Sequence, residues 1–235
     1  MSPQIGGIQF GQIQHWWHPR KKQMGMVIDL RRCTGCYACQ IACKAENEVA
    51  PGRWRNHLRI YERGKYPNTR TYFLPLICNH CRKPACVRVC PVGALYKRED
   101  GMVLRDYTRC IGCRYCMNAC PYGTNYINPV TRTADKCTFC VHRVDLGIVP
   151  ACVNAYPTRA RIWGDIYDPE SEVSKLIATN PVTVLKPDQG TFPSVFYIGL
   201  SVPGTQVEQK LEEETEVLGG FFGLLGVWEE VERLR

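Results

Sequence analysis

Fifteen cysteines in 235 residues fall into four tight groups, and this spacing constrains the chain more than any other feature. Group one is Cys33, Cys36, Cys39 and Cys43; group two is Cys78, Cys81, Cys86 and Cys90, followed by Pro91. Group three is Cys110, Cys113, Cys116 and Cys120, followed by Pro121; group four is Cys137, Cys140 and Cys152, then Tyr156 and Pro157. Disulfides that staple a small fold are spread along the chain, and an odd count leaves one thiol over, so ligation of metal is the better reading. Zinc ribbons use two Cys-x2-Cys pairs about 15 to 20 residues apart, not four cysteines within eleven residues closed by Cys-Pro. Three cysteines at x2 spacing loop around one iron–sulfur cluster. The fourth, after x3, ligates the neighbouring cluster in two-cluster ferredoxins. The proline after it suits a first helical turn, so a helix is expected to start there.

The groups are internal repeats. Met26 to Cys36 echoes Met102 to Cys113, a β-branched run leading into Arg-Cys-x-Gly-Cys. Pro84-Ala85-Cys86-Val87 through Cys90-Pro91 echoes Pro150-Ala151-Cys152-Val153 through Tyr156-Pro157. Tyr156 therefore stands where the repeat has a cysteine.

The formal charge of +8 would suit nucleic acid or an anionic surface. Each thiolate-bound cluster carries about −2, however, so four would offset it. Arg31, Arg32, Arg109, Arg114, Lys136 and Arg143 stand beside cysteine groups and are expected to supply counter-charge, with no nucleic-acid partner. Residues 1–23 have no apolar signal region, and the apolar stretch Val217 to Trp228 is shorter than the roughly 20 residues a membrane span needs.

Leu95 to Leu104 reads as a hairpin turning at Asp100-Gly101. Ile162 to Tyr167 reads as a strand, and Pro193 to Leu200 as a strand or extended arm. Asp168-Pro169 is expected to open a helix reaching Asn180, with Asp168 as its N-cap. The fold class is α+β: two ferredoxin-like units, each for two clusters, related by a pseudo-twofold. The expected organisation is an N-terminal docking arm (1–24), a four-cluster core (25–167) with an insert (44–77), a C-terminal helix and strand (168–204) and an amphipathic tail (205–235). The aromatic, arginine-rich insert either packs on the core or docks a partner. The tail packs on its own core or lies against a membrane anchor or the bilayer. His80 and His142, inside the groups, are either packed side chains or groups that tune a cluster. No nucleophile–base pair, phosphate loop or nucleotide fingerprint is present, so catalysis would belong to a partner.

From Met26 to Leu200 the sequence resembles the four-cluster iron–sulfur subunits of molybdopterin oxidoreductases. Beyond the four groups, the likeness is carried by Tyr66-Pro67-Asn68, Leu74-Pro75, Asn79-His80, Met117, Tyr122, Lys136, Phe139, Gly164-Asp165 and Asp168-Pro169. Within the family it leans toward the sulfur and polysulfide reductase type. The resemblance implies a non-catalytic relay of electrons between a molybdopterin catalytic subunit and an integral-membrane quinone-reactive anchor. The location implied is peripheral to the membrane, with the outer face preferred. The resemblance also implies three 4Fe–4S clusters, on Cys78, Cys81, Cys86 and Cys120; on Cys110, Cys113, Cys116 and Cys90; and on Cys137, Cys140, Cys152 and Cys43. The fourth site has Cys33, Cys36 and Cys39 with Tyr156 at the altered ligand position, and lies nearest the catalytic partner. It would hold a 3Fe–4S cluster, or a 4Fe–4S cluster with a non-cysteine ligand. The equivalent subunit of a dimethyl sulfoxide, arsenate, nitrate or formate oxidoreductase is the alternative within the family; a free polyferredoxin, against which the insert and N-terminal arm argue, and a zinc-bound structural module are the competing readings outside it.

Overall fold

The computed structural model describes residues 22–200; the proposed tail and most of the N-terminal arm lie outside them. Within those residues short helices mix with small sheets, an α+β arrangement.

The central sheet begins with β1 (Met24–Asp29), a run buried at every position. A strand with no exposed face must be covered on both sides. β8 (Arg161–Asp165) pairs antiparallel along one edge of β1, and β10 (Val195–Ile198) pairs parallel along the other. β9 (Val182–Thr183) completes the order β8-β1-β10-β9. The strands expected near Ile162 and after Pro193 are therefore both present, β8 starting one residue early. Helix α6 (Glu172–Thr179) lies against this sheet, and its Val173 is fully buried with Val27, Ile162 and Ile198. Burying a valine of this kind contributes about 1.5–3 kcal/mol.

Helix α6 starts later than Asp168-Pro169 suggested. The Asp168 carboxylate accepts from Glu170 N at 2.9 Å and its carbonyl from Ser171 N at 3.0 Å, closing a tight turn instead of a helix cap. Ser171 takes the N-cap position, without a side-chain cap bond.

The insert folds as a long hairpin, β2 (Asn56–Arg63) against β3 (Arg70–Ile77). Its root is fastened to the core: Gln40 Oε1 accepts from Leu58 N at 3.2 Å, and Tyr197 donates to Pro75 O at 2.9 Å. Away from the root Ile60, Tyr66 and Tyr72 are exposed. The hairpin expected at Leu95–Leu104 is β4 (Leu95–Lys97) with β5 (Val103–Arg105), its loop closed by Arg98 N to Met102 O at 2.8 Å. Gly101 supplies the positive φ of +87° there. A two-stranded ladder, β6 (Tyr126–Ile127) with β7 (Ala134–Asp135), precedes group four.

Four further helices carry cysteines. They are α1 (Ala38–Glu46), α2 (Ala85–Arg88), α3 (Tyr115–Asn118) and α5 (Ala151–Asn154); α4 (Val141–Val144) follows Cys140. The helix thus holds the third cysteine of a group and, in groups two and three, ends before the fourth; it does not start there. Pro84 and Pro150 sit at the entry of α2 and α5, where no backbone donor is needed, while Pro91 and Pro121 follow the helix and help to stop it.

A hub of polar side chains ties insert, group three and group four together. Asp135, buried at the end of β7, receives Arg55 Nη2 at 3.0 Å, Tyr107 at 2.9 Å, Tyr126 at 2.7 Å and Lys136 N at 2.8 Å.

Candidate metal centres

None of the fifteen cysteines is bonded in a disulfide. Loops and helices gather their thiols into separate sets. Cys78, Cys81, Cys86 and Cys120 line one cavity. Cys90, Cys110, Cys113 and Cys116 line a second. Burial pushes the Cys43 thiol up to about 12, with Cys152 and Cys140 adding to the rise. Cys137, raised by burial too, feels Cys43, Cys152 and Cys140 as well as Cys78, and Asn47 Nδ2 lies 3.8 Å from both Cys43 and Cys140, so Cys43 stands with the group-four thiols. Tyr156 donates to Cys33 Sγ at 2.9 Å and also interacts with Cys39. Cys36 belongs to the same loop and is exposed, as is Cys113 of group three.

Sulfurs of different sets also approach one another. Cys39 interacts with Cys152, Cys137 with Cys78, and Cys86 with Cys116. Each set therefore neighbours the next. Burial likewise raises Cys81 and Cys86 to about 12, with neighbouring cysteines adding to the rise. Among the described residues no three His, Cys, Asp or Glu side chains converge as they would around a single ion. Eight of the thiols instead line two cavities.

The loop geometry depends on glycine. Gly35 and Gly112, in the two Cys-x-Gly-Cys loops, have φ of +71° and +70°. A Cβ on Gly35 would enter the Phe73 ring, and one on Gly112 would meet Arg132 O at 2.7 Å. Gly112→Ala combines the left-handed penalty of about 1–2 kcal/mol with that clash. It is expected to lower the iron retained per molecule, by colorimetric assay. Gly123→Ala, at φ +60° with nothing near its Cβ, should retain more.

The family model for the 4Fe-4S dicluster domain matches residues 69–166. The matching tetrathionate reductase subunit from Salmonella typhimurium is 47% identical over 196 residues, covering 81% of this chain and 78% of the relative. This protein belongs to the iron–sulfur subunits of the molybdopterin oxidoreductases. The arsenate respiratory reductase iron-sulfur subunit of a Shewanella species is 39% identical, covering 75% of this chain and 96% of the relative. A polysulfide reductase polypeptide from Wolinella succinogenes is also 39% identical, covering 75% and 94%. This iron–sulfur subunit is accordingly an electron-transfer component, not a catalytic one. Among its described residues no helix is long and apolar enough to cross a membrane.

Four of the six basic residues expected to neutralise the iron–sulfur subunit's sulfurs meet carboxylates, while Arg114 lines the cavity of Cys90, Cys110, Cys113 and Cys116. Arg31 binds Asp29 at 2.8 Å, Arg109 lies 3.4 Å from Asp106, and Arg143 binds Glu46 at 2.9 Å. Arg32 lies 3.7 Å from Asp29. Lys136 is buried, donates to the carbonyls of Val103 and Cys137, and its charge also acts on Cys86. Three residues not singled out from the sequence also stand at the sulfurs. Asn47 Nδ2 is 3.8 Å from both Cys43 and Cys140, held there by Arg55 at 2.6 Å from its Oδ1. Arg105 Nη2 is 3.7 Å from Cys116, and Arg161 interacts with Cys152 and Cys39. The available signal was a charged residue at the end of an apolar strand, as in Val103-Leu104-Arg105.

The two histidines have different settings. His80 is fully buried and stacked on Phe139 at 3.6 Å, and its Nδ1 accepts from Val103 N at 3.0 Å. Burial, aided by Lys136, holds it well below the usual histidine range, so it is neutral. His142 is half exposed and bonded to Glu46 at 2.8 Å.

The donor set fits iron–sulfur clusters. Thiols line two cavities, and buried N–H groups with no protein acceptor, Nε and Nη1 of Arg105 beside one cavity and of Arg161 near Cys152 and Cys39, stand by the sulfurs. Cluster sulfides would accept such donors.

Proposed function

We propose that this subunit holds four iron–sulfur clusters in a row and relays electrons between a molybdopterin catalytic subunit and a quinone-reactive membrane anchor. The complex is read as one that reduces a sulfur compound such as polysulfide, thiosulfate or tetrathionate. The observation that carries the relay is the sorting of fifteen thiols into four consecutive sets. Each cluster takes up and gives back one electron at a time. The protein's part is to fix the ligands, supply N–H donors to sulfur, and keep water away.

The ligand sets are Cys78, Cys81, Cys86 and Cys120; Cys90, Cys110, Cys113 and Cys116; Cys43, Cys137, Cys140 and Cys152; and Cys33, Cys36 and Cys39. Two double-cluster units related by a pseudo-twofold are supported by the matching ladders β1–β8 and β4–β5 beside them. Three sets take 4Fe–4S clusters and the last takes 3Fe–4S. The hydroxyl of Tyr156 is committed as a donor to Cys33, which supports three thiolates and no oxygen ligand there. The subunit sits on the membrane through its anchor, on the outer face.

The complex purified without oxygen should contain iron and acid-labile sulfide in amounts matching three cubes and one three-iron cluster. In the oxidised state it should show the EPR signal of a three-iron cluster, and a molybdopterin subunit should co-purify. Four diamagnetic cubes would refute the three-iron site; absence of stoichiometric iron and sulfide would refute the relay.

A further inference from the structure

Two arginines are buried beside the thiol sets, and the ladders place them at matching addresses. Ile28 stands five residues before Cys33, and Arg105 five before Cys110. Arg161 stands nine residues after Cys152, and Leu95 nine after Cys86. In each ladder the two are direct cross-strand partners, Arg161 with Ile28 and Leu95 with Arg105. One backbone bond follows each pair in the same way: Asp29 N to Ala160 O and Asp106 N to Ala94 O, both 2.8 Å. This register sets Asp29 against Asp106, one step from the Met26–Met102 match that the sequence suggests. Directly opposed residues of an antiparallel pair share a face. Each ladder therefore carries one arginine and one aliphatic residue at the same place, contributed from opposite strands.

All four residues are buried: Ile28 0%, Leu95 3%, Arg105 7% and Arg161 2% exposed. Arg161 Nη2 donates to Asn56 Oδ1 at 2.9 Å and Arg105 Nη2 reaches Cys116, while Nε and Nη1 of both have no acceptor. Neither guanidinium faces a carboxylate in the described ion pairs, unlike Arg31, Arg55, Arg98 and Arg143. Burying an uncompensated charge is strongly unfavourable, so negative charge must come from another source. The sulfurs supply it.

We propose that Arg161 is a positioning residue shared by two neighbouring clusters, those on Cys33, Cys36 and Cys39 and on Cys43, Cys137, Cys140 and Cys152, and that it raises the reduction potential of both. Arg105 does the same for the single cluster on Cys90, Cys110, Cys113 and Cys116. The basis is geometric: the buried Arg161 guanidinium, with Nε and Nη1 unpartnered, lies 6.0 Å from the ring of Tyr156, itself bonded to Cys33 of one set, and it also interacts with Cys152 of the next, whereas Arg105 Nη2 lies 3.7 Å from Cys116 of a single set. Reduction adds one negative charge to a cluster, and a fixed cation in a medium of low dielectric favours that state. The inference rests on the ligand sets proposed above.

The test uses the whole complex, purified anaerobically, with EPR-monitored redox titration and iron content as readouts. Arg161→Leu installs the residue found at the matching address of the other ladder, and Arg105→Ile does so in the opposite sense. Arg161→Leu is expected to lower the midpoints of two signals, each by tenfold or more in the oxidised-to-reduced ratio, which is 59 mV for one electron. Arg105→Ile should lower one. The double variant Ile28→Arg with Arg161→Leu moves the cation to the partner strand and should recover most of the shift. A full iron complement with all four midpoints unmoved in Arg161→Leu would overturn the proposal, as would an equal shift in the double variant. If Arg161→Leu does not assemble, Arg161→Lys decides: midpoints held within a few-fold support a role for charge, and a tenfold loss at both sites overturns it. Wild-type complex lacking cluster iron would instead refute the ligand sets, which is a separate result.

Discussion

Tyr156→Cys should abolish the three-iron EPR signal of the oxidised complex and add one iron per molecule. Tyr156 stands in register with Cys90, as Pro150-Ala151-Cys152 does with Pro84-Ala85-Cys86. Its side chain is buried, at 5% exposure, and its hydroxyl already lies 2.9 Å from Cys33. A cysteine is smaller than the tyrosine it replaces, so it fits without overpacking, at the cost of a residual cavity. Completing a fourth thiolate lets the corner iron stay, and the change of cluster type moves the potential within a family span of about −700 to +450 mV. The expected shift is on the order of 100 mV, large enough to slow or redirect flow through that end of the row. Iron analysis, EPR and turnover with an artificial donor would check it. An unchanged signal and iron count would show that the missing thiolate is not what keeps the site at three irons.

Asp135→Ala should be the most damaging change away from the sulfurs. The carboxylate is 4% exposed as a side chain and Arg55 11%. Removing it leaves a buried guanidinium unpaired and takes the acceptor from Tyr107 and Tyr126. Breaking a buried pair in this way costs about 3–5 kcal/mol. In a protein of this size that corresponds to a drop on the order of 10 °C in the midpoint of thermal bleaching of the cluster absorption. The loss should extend to the Asn47 contacts, because Arg55 holds Asn47 against Cys43 and Cys140. Asp135→Asn keeps an acceptor for the tyrosines and should lose less. Equal bleaching temperatures for all three proteins would remove the hub from the account.

What could be read from the sequence were features that act locally. Cysteine spacing depends on a few bonds of backbone, and Gly101 marks its own turn, so the groups and the Leu95–Leu104 hairpin were legible. The β-branched run from Met26 was visible, but nothing nearby said that it is a strand buried along its whole length or that its parallel partner is Val195–Ile198, far along the sequence. The start of α6 was misplaced because Asp168 can close a turn on itself as readily as cap a helix. Counter-charges were sought beside cysteines in sequence, where Arg31, Arg109 and Arg143 meet carboxylates. The arginines that reach sulfur, Arg105 and Arg161, do so because strand pairing turns them inward, and pairing is a long-range fact.

The position of β1 also bears on how the molecule can be made. Its two neighbours come from residues 161–165 and 195–198, so β1, the first strand among the described residues, has no lateral partner until residues 161–165 have emerged and is not flanked on both edges until residues 195–198 follow. Groups two and three can meet much sooner, since their cysteines and the β4–β5 ladder lie within Cys78 to Cys120. Closing long loops before any contact rewards them is slow. Biogenesis should therefore proceed from the middle outward, and iron delivery to Cys33, Cys36 and Cys39 should be the last step, the one most exposed to interruption by a truncated transcript or by oxygen.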